Sequence, residues 1–196
     1  MRNISITLTL SLIMVGMFTT SIRASGFQEE LTLRDRLFFG GNFGLQLGTV
    51  TNIEVSPIIG YKITPRLSGG LGIRYEFYKD SRNIPGYIPF ETNILGGNLF
   101  SRYILIQNIE EVIGLGLNAS ILVQAEYELL SLERQYFEVP STLDEGRFPL
   151  HSVLLGGGLY QPVGRRSGLV LMVLWNLNQT ASSPYSNPII RLGFNF

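Results

Sequence analysis

The sequence contains no cysteine, a single histidine and few charged residues. Without cysteine, a disulfide framework, a thiolate metal site and a lipoprotein-type anchor are all excluded. Charged residues make up 15% of the 196 residues, with 15 basic and 15 acidic side chains. Because a nucleic-acid-binding domain carries a basic excess, this balance predicts no nucleic-acid partner.

Long apolar runs are also missing after residue 26. The longest, Gly168–Trp175, is far shorter than the ~20 residues that a membrane-spanning helix needs. Residues 1–26 predict a secretory signal peptide, with Arg2 as the positive start, an apolar Ile4–Phe18 segment and Ala24-Ser25-Gly26 for cleavage. The alternative, a short membrane anchor, is disfavoured by its length. An exported chain of this kind meets a membrane only as a β-barrel or through a peripheral contact.

What the sequence does contain is alternation with a period of two, bulky and apolar on one face, small or polar on the other. The clearest case is Leu67–Tyr78, where Leu, Ile, Tyr and Phe alternate with Ser, Gly, Arg and Glu. Residues 27–35 lack the alternation and are interpreted as a short periplasmic lead-in, so the predicted barrel covers residues 36–196. Eight strands are predicted, near residues 36–48, 53–63, 67–78, 93–105, 113–132, 150–161, 169–178 and 187–196.

Three of the connections on one side of this pattern are long, and those after strands two, four and six are short. This rhythm, with an even strand number, is typical of a transmembrane barrel with periplasmic turns and outside loops. Two places resist a simple strand. Pro57 lacks an N–H in a sheet without free edges, so we expect a β-bulge there. Residues 113–132 also have a composition that suits a helix, but their strict alternation favours a strand.

The alternation alone does not decide which face is inside, because a soluble lipocalin-like ligand carrier has the opposite arrangement from a membrane barrel. The bulky set supplies roughly forty large side chains, whereas an eight-stranded barrel has an interior only just wide enough for side chains to fill. The small and polar set fits that interior better. The sequence therefore predicts an all-β fold, an eight-stranded antiparallel up-and-down transmembrane barrel with its bulky face toward lipid.

Eight charged side chains fall on the predicted inner face. An unpaired charge in a narrow interior is costly, so we expect ion pairs, with Arg74 and Arg102 between carboxylates of neighbouring strands. A functional interpretation of these charges is a gate or a proton path through the barrel. The simpler interpretation, which we favour, is that they form part of a packed interior. The predicted interior charges are Glu54, Lys62, Arg74, Glu76, Arg102, Glu126, Glu128 and Arg191.

His151 and Ser152 are adjacent, which raises the hypothesis of a lipid-modifying hydrolase. Adjacent residues on a strand point to opposite faces, so these two cannot act together as nucleophile and base without a bulge. The sequence shows no metal cluster, phosphate loop or redox motif. We therefore predict no catalytic residue, no cofactor and no metal site.

Three segments resemble the small outer-membrane barrel proteins of Bacteroidota and, more loosely, the OmpA/OmpX-type barrel. They are Arg36–Gly44 (RLFFGGNFG), Ser56–Tyr61 (SPIIGY) and the terminal Ser186–Phe196. The resemblance implies integral residence in the outer membrane of a Gram-negative cell, without implying an activity. It also implies that the terminal strand is read by the barrel-assembly machinery, through Ile190, Leu192, Phe194 and Phe196. No peptidoglycan-binding domain is expected after the barrel.

Three functional hypotheses follow for a membrane barrel. The first is a non-enzymatic protein of the cell envelope that is structural or presents loops Lys79–Thr92 and Glu133–Pro149 to partners. The second is an accessory subunit of a larger outer-membrane complex, and the third is a lipid-modifying enzyme. The partners expected are outer-membrane lipid, the barrel-assembly machinery during biogenesis and, in the second case, another envelope protein.

Overall fold

A computed structural model describes residues 33–196 except 47, 84, 86, 87, 115, 138–145, 165 and 166. The predicted signal peptide, residues 1–26, and most of the predicted lead-in lie outside the described residues. Within the described part, no helix is long and apolar enough to cross a membrane.

Eight strands form a closed barrel in which each strand pairs with the next and the last pairs with the first, all antiparallel. The predicted all-β up-and-down barrel is therefore confirmed as a fold. The strands are β1 (Leu37–Gln46), β2 (Val50–Lys62), β3 (Leu67–Asp80), β4 (Phe90–Ile106), β5 (Ser120–Glu133), β6 (Arg147–Val163), β7 (Ser167–Asn176) and β8 (Ile189–Asn195). The described helices are single turns: α1 (Leu33–Arg36), α2 (Glu110–Ile113) and α3 (Arg134–Phe137).

The alternation with a period of two determines whether each side chain points into the barrel or outward, as β7 illustrates. Val170, Met172 and Leu174 point inward and are buried, while Leu171 and Trp175 point outward and are 44% and 48% exposed. The same rule holds along β2, β3 and β5, where burial alternates residue by residue. As the alternation predicts, bulky apolar side chains cover the outside of the barrel.

The interior is less uniformly polar than the sequence analysis predicts. Three buried apolar clusters share it with the charged side chains. The first contains Tyr78, Ile94, Leu130, Leu132, Phe137 and Leu150; a second contains Leu122, Leu154, Val170, Met172, Leu174 and Ile189; the third contains Phe38, Ile58 and Phe100. Glycines on the inner face make room for these large side chains, since Gly60 lies against the ring of Phe38 and Gly96 against Leu130.

The segment before β5 corrects the predicted strand at 113–132. The chain forms the helical turn α2, and Gly114 caps it in the left-handed region at φ +61°. Gly116 also has a positive φ of +71°, so the chain cannot run as an extended strand there. Regular pairing starts only at Ser120. The connection 107–119 is therefore long, and the predicted short turn after the fourth strand is wrong.

Pro57 causes no β-bulge. The register between β1 and β2 runs unbroken across it, with Pro57 opposite Gly41, and the β2–β3 register is the same on both sides of it. Pairing to β3 is simply interrupted at Ser56 and Pro57. Because no residue is inserted, the inward and outward faces of β2 do not switch.

Candidate functional site

Charged side chains from β2, β3, β4, β5 and β8 meet inside the barrel. We call this group the interior charge cluster; each member is at most 7% exposed. Every one of them occupies an inward position of its strand, so alternation brings them together from distant parts of the sequence. The cluster consists of Glu54, Arg74, Glu76, Arg102, Glu126, Glu128 and Arg191.

Arg74 on β3 is the centre of one half of the cluster. Its guanidinium lies 3.1 Å from Glu54 on β2 and 2.8 Å from Glu76 on its own strand. A further nitrogen of the guanidinium donates to Glu128 on β5, which is not a neighbour of β3 in the sheet. Arg74 thus lies among carboxylates, but only Glu54 comes from a neighbouring strand as predicted; Glu76 shares its strand and Glu128 reaches it across the interior.

Arg191 on β8 organises the other half. Its guanidinium lies 2.7 Å from a carboxylate oxygen of Glu126 and 3.0 Å from one of Glu128. Its Nε faces Glu54 at 3.8 Å without a hydrogen bond. Glu128 is therefore shared by both arginines, and the cluster joins β2, β3, β5 and β8 across the interior.

Arg102 differs from the prediction that it lies between carboxylates. Its Nε donates to the amide oxygen of Gln124 at 3.0 Å, because Gln124 is directly opposite it on β5. The amide nitrogen of Gln124 in turn donates to Glu126 at 2.8 Å. The guanidinium also lies over the ring of Phe100, 5.4 Å from the ring centroid. A neutral amide therefore links Arg102 to the rest of the cluster.

Lys62 is the one predicted interior charge that the structure does not bring to the cluster. It is exposed and is the last residue of β2, next to the connection 63–66. A long side chain at a strand end reaches water whichever face its Cβ takes. The prediction that Lys62 lies among the interior charges is therefore wrong, because its side chain is exposed where the strand ends.

Tyr185 reaches the cluster from the connection between β7 and β8, and no sequence pattern identified it. Its hydroxyl donates to Glu128 and lies 3.4 Å from the hydroxyl of Ser152. Arg74 stacks over its ring at 5.3 Å from the centroid. Burial raises the pKa of the Tyr185 phenol, and the nearby Glu128 carboxylate acts in the same direction. The phenol is thus held as a neutral donor to the carboxylate.

His151 and Ser152 lie on opposite sides of the barrel wall. The ring of His151 is exposed and pairs with the hydroxyl of Tyr127 at 2.5 Å, whereas Ser152 is buried next to Asn176 and Tyr185. The two side chains cannot act on one substrate as nucleophile and base. Within the described ranges, no group of three or more His, Asp or Glu side chains is arranged to hold a metal ion.

The cluster holds four carboxylates and three guanidiniums, so it has one negative charge in excess when all are ionised. Buried ion pairs are tolerated only when their hydrogen-bonding groups are satisfied. Most are satisfied here, but Glu54 Oε1 and Arg191 Nε have no hydrogen-bond partner. The arrangement can hold strands together and can attract a positive charge near Glu54.

No family model matches the chain, and no curated protein matches it. Among solved structures, the chain is similar to the N-terminal β-barrel domain of OprF from Pseudomonas aeruginosa. The TM-score is 0.49 at 13% sequence identity, and the similarity covers 82% of this chain and 94% of that chain. The fold assignment rests on the strand pairing of this chain itself.

Proposed function

We propose that this chain is an integral β-barrel of the outer membrane of a Gram-negative cell, of the small type that its sequence resembles in Bacteroidota. In this proposal the protein has no enzymatic activity and serves the envelope structurally or through its loops. Its surroundings are outer-membrane lipid, and the barrel-assembly machinery handles it during biogenesis.

The observation that carries the proposal is the apolar outer wall. Every strand contributes large apolar side chains that are more than one third exposed. Soluble proteins rarely expose apolar patches larger than a few hundred Å². One outward side chain from each strand, in chain order, is Phe43, Ile59, Leu71, Leu99, Tyr127, Leu155, Leu171 and Leu192. A wall of this composition is suited to hydrocarbon on all sides.

The strand lengths support the same proposal. A tilted β-strand needs about 9–11 residues to cross a bilayer. β1 and β7 have 10 residues each, and β4 and β6 have 17. β8 has only 7 residues, but backbone hydrogen bonds between Phe196 and Phe39 extend its pairing with β1 by one position. The barrel is thus tall enough to span the hydrocarbon core along most of its circumference.

The filled interior favours a membrane barrel over the lipocalin-like carrier. A carrier of this size needs an apolar central cavity for its ligand. Here the centre contains Arg74, Arg191 and their carboxylates, with apolar clusters packed beside them. The described centre is therefore too highly charged for an apolar ligand, and the apolar surface of the chain faces outward instead.

The loop-mediated part of the proposal concerns the barrel end formed by the connections 81–89, 134–146 and 177–188. Paired charges lie at their bases, Lys79 with Glu91 at 3.4 Å and Arg147 with Glu133 at 3.3 Å. These charge pairs distinguish this end from the apolar wall, so a transient protein partner is expected to bind there rather than at the wall.

Heat-modifiable mobility on a gel tests the membrane barrel. The purified, lipid-folded protein should migrate differently before and after boiling, and it should fractionate with outer membranes. Absence of the shift together with recovery in a soluble fraction would contradict the proposal.

The lipid profile of a deletion strain tests the proposed absence of lipid-modifying activity, and this profile should be unchanged. Mild detergent extraction should yield the barrel without a stoichiometric partner, and a stoichiometric partner would indicate a subunit of a larger complex.

A further inference from the structure

A cavity of about 420 Å³ lies beside β1, β2 and β8, at the barrel end that carries Arg82 and Tyr185. Its volume is within the range of small-molecule sites. Asn52, Glu54 and Arg74 line its inner part, and Tyr185 and Ile190 line it toward the loop and the wall. The cavity therefore connects the interior charge cluster with the surroundings of the barrel.

The cavity lies where the barrel wall is incompletely paired. β1 pairs with β8 from Gly40 opposite Asn195 to Phe43 opposite Leu192, and the pairing stops there. The same register continued would set residue 45 against Ile190, which pairs only with β7 among the described strands. Ile190 is 67% exposed on the outer wall and also lines the cavity. A bound molecule can thus extend from the interior toward the outside of the barrel through this gap.

Two oxygen atoms of the cavity-lining residues accept no hydrogen bond. Asn52 gives its amide nitrogen to Glu76, and its Oδ1 accepts nothing. Glu54, which is 7% exposed, pairs through Oε2 with Arg74 at 3.1 Å. Its Oε1 faces Arg191 Nε at 3.8 Å, beyond hydrogen-bond distance, and accepts no hydrogen bond. Buried acceptors without partners are rare in proteins and costly. The two oxygens therefore call for a molecule that donates hydrogen bonds.

The charge balance indicates that this donor is a cation. The two arginines that line the cavity already face carboxylates: Arg74 faces those of the interior charge cluster, and Arg82 pairs with the buried Asp80. The interior charge cluster retains one excess carboxylate.

We propose that this cavity binds a primary ammonium group, which donates to Asn52 Oδ1 and Glu54 Oε1 and extends its substituent toward the gap between β1 and β8. Two sources have this chemistry, a free alkylamine from solution and the amine headgroup of a phospholipid in the surrounding leaflet. The volume of the cavity exceeds that of a bare alkali ion, which favours an organic cation.

The test compares methylammonium with tetramethylammonium, which has the same charge and no N–H donor. The full chain is folded in phosphocholine detergent, and its urea unfolding is measured with each chloride salt at constant ionic strength. Methylammonium should stabilise the barrel saturably, and at 100 times its Kd it should lower the unfolded fraction about 100-fold. Equal stabilisation by tetramethylammonium or by sodium chloride would overturn the proposal, as would the absence of any saturable effect.

Two variants locate the site. Glu54→Gln removes the charge at nearly constant volume, and the methylammonium response should be lost. Glu91→Gln is the matched control, since Glu91 lies at the surface in a pair with Lys79; its response should equal that of the unmodified protein. An unchanged response in Glu54→Gln would overturn the proposal. If Glu54→Gln fails to fold, the comparison of the two salts on the unmodified chain still decides.

Vesicles distinguish the two sources. Unfolding is compared in phosphatidylcholine vesicles with and without phosphatidylethanolamine, for the unmodified chain and for Glu54→Gln. Stabilisation by phosphatidylethanolamine that depends on Glu54 supports the lipid headgroup. Stabilisation by methylammonium alone supports a free amine. Absence of both effects would overturn the proposal.

Discussion

Replacing Arg191 with Gln should destabilise the barrel far more than replacing Glu54 with Gln, although both residues belong to the interior charge cluster. Arg191 lies 2.7 Å from Glu126 and 3.0 Å from Glu128, and the three side chains are at most 4% exposed. Without Arg191, Glu126 keeps only the amides of Asn98 and Gln124, while the excess of carboxylates grows from one to two.

The magnitude follows from the cost of an uncompensated buried charge. Breaking a buried ion pair by removing one partner costs about 3–5 kcal/mol, so Arg191→Gln should lose that much unfolding free energy. Glu54→Gln removes the excess charge, and Arg74 still has Glu76 and Glu128 as partners. Its loss should stay below about 1.5 kcal/mol, the range of a single hydrogen bond.

The assay is urea unfolding of the protein in lipid vesicles, followed by gel mobility without boiling. Lys79→Gln serves as the control, because Lys79 pairs with Glu91 at the surface and both side chains are about half exposed or more. An exposed pair contributes about 0–1 kcal/mol, so this variant should unfold almost like the unmodified protein. A loss for Arg191→Gln no larger than for Lys79→Gln, or equal losses for Arg191→Gln and Glu54→Gln, would refute the charge balance described above.

Three further predictions concern the wall and the interior. By urea titration, Leu130→Ala, fully buried inside the barrel, should lose about 2–5 kcal/mol, and Leu129→Ala, 42% exposed on the outer wall, should lose less; equal losses would contradict the assignment of faces. Leu171→Arg on the outer wall should cost about 2–4 kcal/mol in vesicles, and a zero cost would contradict contact with lipid. A methyl group added by Gly156→Ala would lie 2.0 Å from a carbonyl oxygen of the neighbouring strand, so the yield of folded barrel on unboiled gels should fall. Gly69→Ala, with its nearest contact at 3.4 Å, should fold normally, and equal yields would contradict the packing.

The strands could be predicted from the sequence because each has an outer and an inner face of different chemistry. Along Leu67–Tyr78 the alternation is regular, and β3 contains that whole segment. The same alternation misled before Ser120, where Leu117 and Ala119 continue the period of two outside any strand. There Gly114 and Gly116 take positive φ, which a hydrophobicity pattern does not report.

The candidate site was predictable only in part, for a similar reason. Alternation indicates which side chains point inward but not how far along the barrel axis each one lies, since that depends on the register between strands. Arg102 therefore meets Gln124, its cross-strand neighbour, and Glu126 lies opposite Phe100. Tyr185 belongs to a connection and reaches Glu128 over a long sequence separation, so no local pattern could place it.

The most direct test of the account uses Trp175, the single tryptophan, which is 48% exposed on the outer wall of β7. Its fluorescence is measured for the unmodified protein in vesicles that contain lipids brominated along their acyl chains, and separately with acrylamide in the aqueous phase. Strong quenching by the brominated lipids with little quenching by acrylamide is the predicted result. Strong quenching by acrylamide with none by the brominated lipids would contradict contact between the apolar wall and lipid.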